Sequence, residues 1–100
     1  MNRVSGTTGL PVLAVVIQNY GFNLSTATVK VGTTVTWTNF DSSQHQISNA
    51  AMGNYGPGQL FESAPLGNGG TYSFIFTKTD SFPYYCTIHP YMGGYITVTS

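Results

Sequence analysis

Seven residues near the C-terminal end, CTIHPYM from Cys86 to Met92, contain the chain's only cysteine, one of its two histidines and one of its three methionines. A thiolate is a soft and strong donor, an imidazole a borderline one, and a thioether soft but weak. The spacing Cys-x2-His-x2-Met lets these donors converge. Cys86 ends an extended run, Thr87 and Ile88 turn the chain so that His89 points back, and Pro90 stiffens the loop. Met92 then approaches from a third direction. The other histidine, His45, lies far upstream and has to arrive from another strand across the fold.

Two imidazoles, one thiolate and a long axial thioether form the donor set of a blue-copper electron-transfer centre. A core that fixes both ligand-bearing segments leaves little to move when an electron arrives. Each residue alone has a plainer reading. A lone cysteine is often a small buried hydrophobe, and His45 alone would pass for a polar residue at a strand end. Met92 could be a packing methionine beside a three-coordinate or water-bound metal. Met52, in a glycine-rich stretch, reads as core or patch rather than ligand. Zinc could also occupy His45, Cys86 and His89, although one thiolate with a weak thioether is a poor structural zinc site.

The elements that must position these donors are strands. VKVGTTVTWTN (Val29 to Asn39) alternates, with Val29, Val31, Val35 and Trp37 on one parity and Gly32 turning the chain between two strands. TYSFIF (Thr71 to Phe76) puts Tyr72, Phe74 and Phe76 on one face, and GYITVT (Gly94 to Thr99) alternates again. Trp37, Phe74, Phe76 and Phe82 are expected in the core. LPVLAVVI (Leu10 to Ile17) is far short of the ~20 residues of a membrane span. With only Arg3 upstream and no small-residue cleavage site after it, it reads as the first strand rather than a signal core. Met1 is compatible with a start that replaces a removed targeting segment. SNAAMGNYG (Ser48 to Gly56) has room for one helical turn. Short strands separated by regular turn signals predict an all-β, antiparallel Greek-key sandwich of seven to eight strands. The chain reads as one domain over 1–100, with 1–9 a loosely ordered N-terminal segment.

Composition narrows the function. With three basic and three acidic residues in 100, no basic stripe exists to neutralise phosphates, which argues against nucleic acid as a partner. No polybasic segment addresses an anionic membrane, and no direct membrane insertion is expected. Asp41, Glu62 and Asp80 are scattered, so no carboxylate pair for acid–base chemistry is apparent. One cysteine rules out a disulfide within the chain.

The chain resembles a cupredoxin of the plastocyanin and amicyanin branch over nearly its whole length. VKVGTTVTWTNFDSSQH resembles the family's strand, glycine turn, strand and first-ligand pattern, and YYCTIHPYMGGYITV its terminal ligand loop and last strand. The interval from Cys86 to Met92 is the short loop of amicyanin-like members. The resemblance implies one copper per chain, cycling Cu(II)/Cu(I), with His45, Cys86, His89 and Met92 as ligands. Gln46, Thr87 and Pro90 would support them. Where the family often has Asn, Thr or Ser after the first histidine, this chain has Gln46. Its backbone contact with the cysteine loop is expected to survive, while a side-chain partnership with Thr87 stays open. Phe82 stands where the family usually has a tyrosine, and Asp80 where a glycine is common.

The function implied is a one-electron carrier between redox proteins, docking through an apolar patch around His89 that includes Pro90, Tyr91 and Gly93. Tyr85, beside the cysteine, is expected to face solvent near the copper. A copper oxidoreductase acting on a small molecule such as nitric oxide, at an open or water-bound axial position, is the alternative. The glycine-rich surround, Gly93, Gly94 and the stretch from Gly53 to Gly58, would give it space. The resemblance also implies an extracytoplasmic domain, free or membrane-tethered.

Overall fold

A computed structural model describes residues 11–50 and 60–100, so the expectations for 1–9, for Met52 and for the glycine-rich stretch from Gly53 to Gly58 lie outside the described residues. Among the described residues eight strands follow in order: β1 (Val12–Gln18), β2 (Gly21–Asn23), β3 (Thr26–Lys30), β4 (Thr34–Asn39), β5 (Ile47–Ser48), β6 (Thr71–Ile75), β7 (Asp80–Cys86) and β8 (Gly93–Thr99). One sheet has the order β2-β1-β4-β6 and the other β3-β8-β7-β5. Ser48, where a helical turn had room to begin, belongs to β5.

The sandwich is as the alternation predicts, with one refinement. Antiparallel pairs dominate, yet each sheet contains one parallel pair, β1 with β4 and β3 with β8. The chain crosses from one sheet to the other after β2 and back after β3, so β4 returns beside β1 running in the same direction. The second crossing is the Gly32 turn. Gly32 has φ 96°, a left-handed conformation that glycine adopts without a Cβ clash. The N–H of Val31 reaches Thr99 O in one sheet and that of Gly32 reaches Phe76 O beside the other, both at 2.8 Å. Val31 therefore stands in the crossing and is exposed, although it shares the parity of buried Val29.

Inward-facing residues of both sheets make one core. Trp37 lies at its centre, stacked on Phe61 and met edge-on by Tyr84 at 5.3 Å. Phe76 and Phe82 continue the cluster, Phe74 packs against it, and Cys86 and Met92 belong to it at the opposite end of their loop. Tyr84 is 1% exposed and lies across Gly94, its partner in the β7–β8 ladder. A Cβ on Gly94 would overlap the Tyr84 ring, which also packs edge-on against Phe22 and Trp37.

Gly94→Ala is accordingly expected to destabilise the fold by about 1–3 kcal/mol, the usual cost of overpacking. Urea unfolding in the native and Tyr84→Leu backgrounds checks this. The cost should shrink when the ring is absent, and an equal cost in both backgrounds would rule out this contact as its source.

Candidate metal centre

β4 ends at Asn39, whose side chain is fully buried. Its Oδ1 accepts the N–H of Asp41 at 2.8 Å, an Asx turn. Its Nδ2 donates to the carbonyls of Ser43 at 2.9 Å and Leu66 at 2.8 Å. One amide thus folds residues 40–44 back on themselves. His45 follows and exchanges backbone hydrogen bonds with Leu66 in an isolated bridge.

The His45 ring is wholly buried. Its Nε2 lies 2.9 Å from Asp41 Oδ2, and its Nδ1 faces Cys86 Sγ at 3.4 Å and His89 Nδ1 at 3.3 Å. An ionised carboxylate only accepts, so the shared proton belongs on Nε2 and the Nδ1 lone pair faces Cys86 and His89. Burial pushes the Asp41 pKa up, but hydrogen bonds from the Tyr20 N–H, His45 and the Asn19 N–H outweigh it and hold the carboxyl below its ordinary range. Asp41 is therefore ionised at neutral pH.

Cys86 closes β7 with no exposed surface. Its N–H donates to Met92 O at 3.0 Å, and the Met92 N–H donates to His89 O at 2.9 Å, so two backbone bonds close the loop. Met92 is 3% exposed. Gln46 meets Thr87 twice: the Thr87 N–H donates to Gln46 O at 3.0 Å, and the Thr87 hydroxyl donates to Gln46 Oε1. The side-chain contact left open by the sequence is therefore made, and Gln46 Nε2 also reaches Ser63 O at 2.8 Å. His89, Pro90 and Gly93 are half-buried, while Tyr91 is exposed with its ring 6.2 Å from that of His89. Tyr85 is buried at 2% exposure, which corrects the expectation that it faces solvent. It sits inside a three-strand ladder, opposite Ser48 and Gly93.

The structure brings His45, Cys86 and His89 together as a group able to hold one ion. The edges of their donor triangle are 3.3, 3.4 and 3.9 Å. The centre of such a triangle lies about 2.1 Å from each corner, close to the ~2.0–2.3 Å at which a first-row divalent ion such as zinc holds imidazole nitrogen and thiolate sulfur. Two imidazoles and one thiolate beside a buried methionine are a donor set that copper fits.

Three residues of this surround escaped the sequence reading. Asn39 and Asp41 belong to NFDSS, where the cluster of turn-forming side chains and an acid four residues before His45 were the available signals. Tyr20 sits between Asn19 and Gly21, two turn-favouring residues, which was the only signal available. It packs edge-on against both His45 and His89, with ring centroids 5.5 and 4.8 Å away.

Comparison with known proteins agrees with this geometry. The family model described as copper binding proteins, plastocyanin/azurin family, matches residues 12–99. Amicyanin of Paracoccus denitrificans is 38% identical over 74 residues, covering 70% of this chain and 52% of its own length. The chain spans about half the length of the curated relatives it matches. A structure described as a novel purple cupredoxin from Nitrosopumilus maritimus superposes with a TM-score of 0.78 at 33% identity, covering 87% of this chain and 99% of that one. A Cu(I) form of an amicyanin mutant superposes with a TM-score of 0.77 at 28% identity, covering 88% and 82%. With a sandwich of this topology and a histidine, cysteine and histidine cluster at its end, the chain belongs to the copper-binding plastocyanin/azurin family, the cupredoxins.

Proposed function

We propose that the chain is a one-electron carrier in which His45, Cys86, His89 and Met92 would hold copper. The observation that carries this reading is the triangle itself: three donor atoms converge before any ion is considered. When bound, copper supplies a Cu(II)/Cu(I) couple that accepts and gives up a single electron. The residues of the chain fix the geometry. Asp41 sets the tautomer of His45, Gln46 and Thr87 tie the two ligand segments together, and Pro90 stiffens the loop. Small-molecule oxidation would need an open coordination position. Met92, buried and tied through its backbone to Cys86 and His89, supports a closed one.

Redox partners are proposed to dock on the apolar patch formed by Pro90, Tyr91 and Gly93 around His89. The exposure of Tyr91 at 64% and the scarcity of charge support this. The setting proposed is outside the cytoplasm, as an exported domain, free or tethered. Among the described residues no helix is long and apolar enough to cross a membrane.

Adding one equivalent of Cu(II) should produce intense visible thiolate-to-copper absorption, and Cys86→Ser should abolish it; a pale native solution would overturn the assignment. Asp41→Asn should keep the band but weaken copper binding about 10–100-fold, as loss of a carboxylate behind a metal-bound histidine does. Chelator competition measures this, and unchanged affinity would remove Asp41 from the site's support. Electron exchange with a redox partner should vary little with added salt, since apolar docking lacks the screened steering of charged patches. A rate that fell steeply would refute the apolar patch.

A further inference from the structure

The turn between β1 and β2 has two residues, Asn19 and Tyr20, with φ 55° and 57°. Two-residue hairpin turns of this kind favour Asn followed by Gly, because both central positions are left-handed. Asn19 suits its place. Tyr20 does not, because a bulky residue at positive φ is a rare and costly occupant. A residue held in a disfavoured conformation by its surroundings is a pointer to function.

Those surroundings are specific. The Tyr20 N–H donates to Asp41 Oδ2 at 3.0 Å, the atom that also accepts from His45. Its phenol is hydrogen-bonded to the Ser43 hydroxyl, in the loop that Asn39 folds. Its ring stands at 84° to His45 and 88° to His89, so one aromatic plate meets both imidazoles edge-on. Those imidazoles come from different segments and lie 4.9 Å apart. At 43% exposure, Tyr20 has water on one side and the buried His45 on the other.

We infer that Tyr20 is a positioning residue of the metal centre, bracing His45 and His89 together and covering their solvent flank, at a cost to the turn that carries it. The inference rests on the copper reading above. It separates two quantities that a purely structural residue would couple, because relieving the turn should help the fold while loosening the site.

Tyr20→Asn removes the ring and suits the left-handed turn, while Tyr20→Phe keeps the ring and loses only the hydroxyl. In metal-free protein, the melting midpoint of Tyr20→Asn should hold or rise by a few degrees. The NMR signals of the His45 and His89 ring protons should move toward free histidine as the ring-current shift disappears. In copper-loaded protein, Tyr20→Asn should release copper to excess chelator about tenfold faster, an effect the size of losing another outer support of a metal ligand. It should also relax water protons more strongly, whereas Tyr20→Phe should match the native protein. Unchanged release and relaxation in Tyr20→Asn would overturn the inference. So would a fall in the metal-free melting midpoint alongside faster release, which makes Tyr20 merely structural. If the native protein shows no intense absorption with Cu(II), the copper reading fails separately. The metal-free NMR comparison then decides, and imidazole signals indifferent to Tyr20→Asn overturn the bracing.

Discussion

A fully buried imidazole has two nitrogens to satisfy, and only one of them can face a metal. In this protein the other is bound to Asp41, and much of the site's surround depends on that hydrogen bond. An ionised carboxylate placed there without donors would be costly. The Asn19 and Tyr20 N–H groups supply the remaining donors, which ties the β1–β2 turn to the centre. The Asx turn at Asn39 supplies the geometry, because it aims Asp41 back toward a histidine four residues later. The same carboxylate therefore orients a candidate ligand, closes a loop and anchors a hairpin.

The scarcity of charge gives this arrangement its weight. The chain has three acidic residues, and one of them is committed to the interior of the site rather than to the surface. Ile88 and Tyr91, in the same loop as His89, are both exposed large hydrophobic residues. Electrostatic complementarity mainly provides steering and partner choice. The proposed docking on Pro90, Tyr91 and Gly93 follows from that scarcity, since a surface with few charges has shape and apolar contact left to offer.

Much of the fold was legible because alternation is a direct record of a sheet with one buried face. Val35 and Trp37, on one parity, are fully buried, and β6 and β8 fall where their runs predicted. The parallel pairs were not legible, because strand direction follows from how the chain crosses between sheets and leaves no periodic trace. The donors Cys86, His89 and His45 announced themselves through element preference and spacing. Their supports did not. Asp41 looked like a scattered carboxylate and Tyr20 drew no reading, since both act through contacts made only after β1, β2 and β4 have packed. Tyr85 misled for a related reason: position beside Cys86 gives no hint of the neighbouring strands that cover it.

The separation of His45 from Cys86 is set by sheet register as much as by the loops. Ile47 pairs with Cys86, and Gln46 O accepts the N–H of Thr87, so the two candidate ligands hang from one short antiparallel ladder. His45 stands at the crossing from β4 in one sheet to β5 in the other, where Leu66 pins it. A slip of one residue in that ladder would turn the Cys86 side chain away from the core, which contains it and Met92 together. Ile47 and Ser48 in that ladder are both fully buried, so packing on each face of β5 holds its place. The packing energy that fixes an ordinary hydrophobic residue thus also fixes a donor triangle, and three donors held this way by the sandwich have their separations set before any ion arrives.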